Sequence, residues 1–262
     1  MILKRPSEVD AMADAARINR AALEAVEACI APGVSTLELN DVAEEVILRG
    51  GGSPAFKGYR GFPATLCTSL NEVVVHGIPN ERPLEEGDIV SIDVGTFYKG
   101  YAADMAKTYA VGDIPEEVQH LLDTTERSLY AGIERAQPGN RLGDVSAAIQ
   151  DVIEQEGMWV VREFVGHGIG RTFHEAPDVP NYGRAGTGPV LRPGLVLAIE
   201  PMVALSRTSI IVLDDGWTAP TETGVPSAHF EHTVAITEDG PRILTAKETM
   251  TQNNEEVAQH GA

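Results

Sequence analysis

The sequence predicts an α+β fold in which two similar halves place antiparallel sheets in the middle and helices outside, with the functional cleft between them. Three observations predict it. A pair of helices occurs twice, about a hundred residues apart; each pair runs into β-rich sequence; and acidic residues interrupt apolar strands in both halves.

The elements follow in order. Ser7 can cap a helix whose apolar and small residues recur through Met12, Ala15, Ala16, Ile18, Leu23, Val26 and Ile30, and Pro32-Gly33 ends it. Ser35-Thr36-Leu37-Glu38 has the spacing of a capping box, followed by the stripe Leu39, Val42, Val46, Ile47 and a stop at Gly50-Gly51-Gly52. Sequence rich in β-formers spans 65–109. The order then repeats: Pro115 at a helix start, Val118, Leu121, Leu122, Leu129 and Ile133, a stop at Pro138-Gly139, a second helix from Leu142 to Glu156, and β-rich sequence over 160–236. This reads as an internal duplication with repeats at about 6–110 and 111–245 of one domain, residues 1–248. Paired about a pseudo-twofold axis, such halves converge on one site. The polar stretch 249–262 reads as a tail.

The chain has 262 residues, and 39 acidic against 20 basic side chains leave a formal net charge of -19. That length supports a well-buried core. No basic cluster offers a nucleic-acid footprint, so direct nucleic-acid binding is not expected. No apolar run is long enough for a membrane span, and the first residues lack a secretory signal, so the expected location is the cytoplasm. The two cysteines, Cys29 and Cys67, supply neither a disulfide framework nor a zinc spacing.

The chemistry concentrates at charged residues in apolar strands. Residues 89–98 read as a strand, Lys99-Gly100 as a two-residue turn and 101–109 as the return. That register sets Tyr98 opposite Tyr101 and Gly95 opposite Asp104, so Asp93 lies diagonal to Asp104 on one face. Two carboxylates so placed repel unless neutralised, and a metal is one remedy; the other reading is a wet surface face. Downstream, His167 and His174 stand seven residues apart in a glycine-rich segment, a spacing unlike a helical zinc site, and glycines there suit close backbone approach to a ligand. Glu200 ends the apolar run 195–199, and Glu231 interrupts 228–235; either could be a strand-end charge facing solvent. Together with Asp93, Asp104 and His167 they make four carboxylates and one imidazole, a hard, oxygen-rich set suited to Mn, Fe, Co or Zn. Four negative charges balance two divalent ions, and a water shared between such ions has its pKa lowered toward about 7, which points to hydrolysis by a metal-bridging hydroxide.

These five residues, with Asn71-Glu72-Val73-Val74-Val75-His76-Gly77-Ile78-Pro79, His167-Gly168-Ile169-Gly170, Ile199-Glu200-Pro201-Met202 and Glu231-His232-Thr233, make the chain resemble the methionine aminopeptidases of the bacterial type I group from about Pro6 to Thr245. The resemblance implies the pita-bread fold and removal of the initiator methionine from nascent chains whose second residue is small. It implies two divalent metal ions, with Asp93 a terminal ligand, Asp104 and Glu231 bridging, and His167 and Glu200 on one ion. It also implies that His76 and His174 contact the scissile amide and that Glu200 shuttles the proton. Tyr59, Phe62, Cys67, Phe173 and Trp217 match positions lining a methionine pocket, and Asn71, Val73 and Ser227 match a monovalent-cation site. A monomer acting on nascent polypeptide N-termini, in transient contact with the ribosome, is the corresponding expectation.

The chain departs from that pattern at Ala102, Ala103, Ala198, His229 and Phe56, which bear on metal tuning and pocket depth rather than on the ligands. Two rivals share the fold. A proline-directed aminopeptidase or prolidase usually carries an additional N-terminal domain, for which the helix start near Ser7 leaves no room. A non-catalytic peptide-binding module would show lost ligands, and all five are present here.

Overall fold

The computed structural model describes residues 1–247, so the expected tail at 249–262 lies outside the described residues. The first half runs α1 (Pro6–Glu27), α2 (Thr36–Arg49), β1 (Ser53–Pro54), β2 (Leu66–Leu70), β3 (Val73–Val75), β4 (Ile89–Tyr98) and β5 (Tyr101–Ala110). The second runs α3 (Glu116–Arg135), α4 (Leu142–Gln155), β6 (Trp159–Val160), β7 (Gly166–Gly168), β8 (Glu175–Val179), β9 (Val196–Ile199), β10 (Met202–Ala204), β11 (Ala219–Pro220), β12 (Ser227–His229), β13 (His232–Thr237) and β14 (Gly240–Ile243).

The helices form where apolar periodicity and end signals agree. Helix α1 buries Val9, Met12, Ala15, Ala16, Ile18, Ala22, Leu23 and Val26 on one face. It starts two residues earlier than a Ser7 cap implies, with Arg5 at the N-cap and Pro6 in the first turn, where a missing N–H costs nothing. It also ends at Glu27, well before Pro32-Gly33, because the chain leaves to bond with the loop that precedes β4: Gly33 N–H donates to Leu84 O and Leu84 N–H to Val34 O, both at 2.8 Å. The capping box of α2 forms as expected, the Ser35 oxygen accepting from Glu38 N–H and Glu38 accepting from Ser35 N–H. Asn19, fully buried on α1, donates to Val94 O at 2.8 Å and accepts from Thr96 Oγ1 at 2.7 Å, which pins the helix to the sheet below it.

The strands form two principal antiparallel sheets. In the first, β4 pairs with β5 along its whole length and with β2 and β1 on its other edge. In the second, the order is β14-β13-β9-β7-β8. Smaller sheets, β12-β10-β6 and β11-β3, close the remaining sides. The β4–β5 register pairs Tyr98 with Tyr101, Gly95 with Asp104 and Asp93 with Ala106. Lys99 and Gly100 turn at φ 48° and 79°, as a two-residue hairpin turn demands.

The halves meet along β5. Thr233 Oγ1 accepts from Asp104 N–H at 2.9 Å and donates to Asp104 O at 2.8 Å. Glu231 N–H donates to Ala106 O, and Thr108 Oγ1 bonds both the N–H and the C=O of His229. Glu231, which in sequence interrupts one apolar run, in fact separates two strands of different sheets: β12 pairs with β10 and β13 with β9 and β14. Among the described residues, no helix is long and apolar enough to cross a membrane.

Candidate metal centre

Asp93, Asp104, His167, Glu200 and Glu231 line one cavity of about 150 Å³, together with His76 and His174. The hairpin supplies the first two, and three neighbouring strands of the second sheet supply the others. His167 and Thr233 flank Ala198 across the sheet, so all three share a face. Glu200 lies two residues beyond Ala198 and Glu231 two before Thr233, which returns both carboxylates to that face. Ligand atoms of Asp104, His167 and Glu231 lie within 4.8 Å of one another. His167 Nε2 is 3.7 Å from Asp104 Oδ2 and 3.7 Å from Glu200 Oε1. His167 Nδ1 lies 2.8 Å from Gly168 O, so it carries the ring proton and Nε2 faces the acids with its lone pair.

Burial, followed by the Asp104 and Glu200 charges, pushes the Asp93 carboxyl well above its ordinary value. Glu231 is driven the same way by burial and by Asp104, Glu200 and Asp93. Asp104 is raised chiefly by burial, against the opposing pull of His167. Burial opposes a charge on His167, but the carboxylates of Asp104 and Glu200, each 3.7 Å from Nε2, outweigh it and raise its pKa. Asp93 Oδ1, Glu231 Oε1 and His229 Nε2 are buried without a hydrogen-bond partner. Orphaned carboxylate oxygens crowded on one imidazole fit divalent cations, which supply the missing partners and the missing positive charge.

Above these residues stands an aromatic wall. Phe56 and Phe173 meet edge to face at 5.3 Å, Phe62 and Trp217 at 5.2 Å, and Tyr59 stacks on His174 at 5.4 Å. Gly95, opposite Asp104, lets the rings close in: a Cβ there would lie 2.7 Å from Phe173 and 2.8 Å from Phe56. Tyr59 Oη lies 2.9 Å from His174 Nδ1. Burial, then the neighbouring His167, brings the His174 pKa down to about 4, so the ring is neutral at pH 7. His76, at φ 60°, packs against Trp217 and Phe164, and burial lowers its pKa. Burial and then the charges of Asp93, Asp104 and Glu231 push the Cys67 thiol well up, so it stays protonated.

All seven candidate polar residues and the five candidate pocket residues thus line one cavity. Asn71 and Ser227 come together elsewhere, Ser227 N–H donating to Asn71 O at 2.9 Å, and Val73 follows at the start of β3. Phe164 behind His76 and Arg60 at the cavity lining went unread in the sequence, since neither stands in a motif. Among the departures, Ala198 lies between His167 and Thr233, Ala102 and Ala103 are fully buried, Phe56 joins the wall, and His229 Nε2 stands 3.5 Å from Glu200 Oε2.

Metallopeptidase family M24 matches residues 10–238. The chain is 50% identical to a methionine aminopeptidase of Clostridium perfringens over 245 residues, 94% of this chain and 98% of that one. The crystal structure of a methionine aminopeptidase from Thermotoga maritima superposes with a TM-score of 0.93 at 46% identity, covering 94% of this chain and all of the other. A prolidase from Pyrococcus furiosus shares the fold at a TM-score of 0.76 and 24% identity, with 66% of its length covered. An acid-rich cavity between two sheets, carried on a chain that matches these proteins nearly end to end, has one family reading: the chain belongs to metallopeptidase family M24, among its methionine aminopeptidases.

Proposed function

We propose that the protein removes the N-terminal methionine from peptides and newly made chains whose second residue is small. The observation that carries this reading is the convergence of four carboxylates and one imidazole, drawn from both halves, on the floor of an aromatic-walled cavity. Asp93, Asp104, His167, Glu200 and Glu231 would hold two divalent ions, with Mn, Fe, Co and Zn all suited to this donor set. When bound, such ions supply Lewis acidity, polarising a carbonyl and bringing the pKa of a water toward about 7.

The chain's own groups do the rest. Tyr59, Phe62, Cys67, Phe173 and Trp217 hold the methionine side chain, whose sulfur suits aromatic edges. Tyr59 Oη donates to His174 Nδ1, which leaves the ring proton on Nε2; that N–H and His76 donate to the carbonyl oxygen as it gains charge. Glu200 takes the proton of the attacking water and passes it to the departing amine nitrogen as the C–N bond breaks. The free α-amine is read at the acid-rich floor, which explains action at chain ends only. A monovalent cation held by Asn71, Val73 and Ser227, a monomeric state, work in the cytoplasm and transient ribosome contact belong to the same reading.

The test is hydrolysis of Met-Ala-Ser and of Xaa-Pro peptides by metal-free protein given Mn, Fe, Co or Zn in turn. Metal-dependent release of methionine from the first peptide alone is the expected result. Stoichiometric metal binding without turnover would overturn it, and release from Xaa-Pro peptides would move the reading to a prolidase.

A further inference from the structure

Five residues precede α1, and one of them reaches the far half of the molecule. Lys4 is 7% exposed, and its Nζ lies 2.7 Å from Glu175 Oε2, with both side chains only 4% exposed. The backbone is held as well: Lys4 N–H donates to Gly194 O at 2.7 Å, and Nζ also donates to Ile2 O at 3.2 Å. Two glycines make the cradle. A Cβ on Gly170 would stand 2.5 Å from Lys4 Cε, and one on Gly194 would stand 2.4 Å from Lys4 O.

Glu175 turns its other oxygen to the loop that precedes it. Oε1 accepts from Arg171 N–H at 3.1 Å, Thr172 N–H at 3.4 Å and Thr172 Oγ1 at 3.3 Å. Between those bonds and Glu175 sit Phe173 and His174, the pocket wall and the amide-facing imidazole. Gly170 O meanwhile accepts from Ala102 N–H at 2.8 Å, so the start of the loop is anchored on the other half. A carboxylate this buried keeps one orientation only while its charge is matched.

We propose that Lys4 is a positioning residue for the reaction: by matching the Glu175 charge it locks the 170–175 loop and so sets Phe173 and His174. This rests on the functional reading above and adds to it a control point outside the cavity. Glu175 is the intermediary, since its carboxylate joins Lys4 to the loop amides.

The experiment compares metal-loaded wild type, Lys4→Met and the double variant Lys4→Met/Glu175→Gln, at a temperature where each is folded. Lys4→Met strands the buried carboxylate. Its kcat on Met-Ala-Ser should fall about 10- to 100-fold as His174 is misplaced, with a smaller rise in KM as Phe173 shifts in the pocket wall. Amide hydrogen exchange at 171–175 should accelerate about tenfold while α3 and α4 keep their protection. In the double variant the neutral carboxamide that replaces the carboxylate can still accept from the Arg171 and Thr172 amides with no charge left unmatched, so loop protection and most of kcat should return. If Lys4→Met does not accumulate folded, Lys4→Gln, which keeps a polar donor but removes the charge, should move kcat and loop exchange in the same direction. Unchanged kcat or unchanged loop exchange in a folded variant overturns the proposal. Should wild type itself turn over nothing, the functional reading fails, and the exchange arm still decides whether Lys4 locks the loop.

Discussion

The two halves deliver their acids by different means. Asp93 and Asp104 ride one hairpin of two ten-residue strands, so a two-residue turn and the pleat fix their separation. His167, Glu200 and Glu231 come from three strands, each at a break: β7 has a register shift just after His167, Glu200 follows the last residue of β9, and Glu231 precedes β13. Strand breaks free the carboxylates from full pleat geometry while the neighbouring ladder holds their backbones. Regular pairing thus builds the local part of the centre, and strand ends in sheet order β13-β9-β7 build the non-local part.

Breaking either contribution should be equally severe. Asp104→Asn in the hairpin and His167→Ala in the sheet should each lower kcat/KM by on the order of 1,000-fold or more, because water left unacidified has a pKa near 15.7 instead of about 7. Peptide hydrolysis and metal titration of both variants check this, and a mild effect for one half only would make that half dispensable. Next in size, His174→Ala should cost about 100- to 1,000-fold in kcat with little change in KM, as expected for a lost donor to developing negative charge. Steady-state kinetics decide it.

Smaller changes sharpen the contrast through the seam and the wall. Thr233→Val removes the hydroxyl that bonds Asp104 N–H and C=O, leaving both buried groups unpaired at a cost of about 1 to 3 kcal/mol in urea unfolding. Gly95→Ala pushes a methyl group into Phe56 and Phe173, and overpacking of this kind costs about 1 to 3 kcal/mol. It should raise KM for methionine peptides as the pocket narrows, without loss of bound metal. Smallest, Ser35→Ala removes the α2 cap far from the centre at about 1 kcal/mol and should leave kcat untouched.

Legibility followed the range of the interactions. The α2 capping box and the β4–β5 register could be read because each depends on residues within a few positions of a turn or helix end. Ser7 misled by two residues because Pro6 is equally content in a first turn, and the α1 end misled because a loop distant in sequence competes for the chain. Phe164 and Arg60 could not be read: nothing in a charged loop or an exposed turn says which ring will pack behind His76 or which guanidinium will line the cavity. The Lys4–Glu175 pair is the extreme case, two ordinary charges far apart in sequence that bury each other.

The sequence by itself determined the helix pairs, the hairpin that sets two aspartates on one face, the identity of the hard donors and the family they resemble. These depend on local periodicity, turn chemistry and residue type. Only the tertiary structure decided that β13, β9 and β7 lie side by side, that Thr233 clasps Asp104 across the seam, that Glu231 separates two sheets and that Lys4 reaches Glu175. The physical reason is that these contacts join residues whose sequence separation carries no signal, and their energy appears only when both partners leave water together.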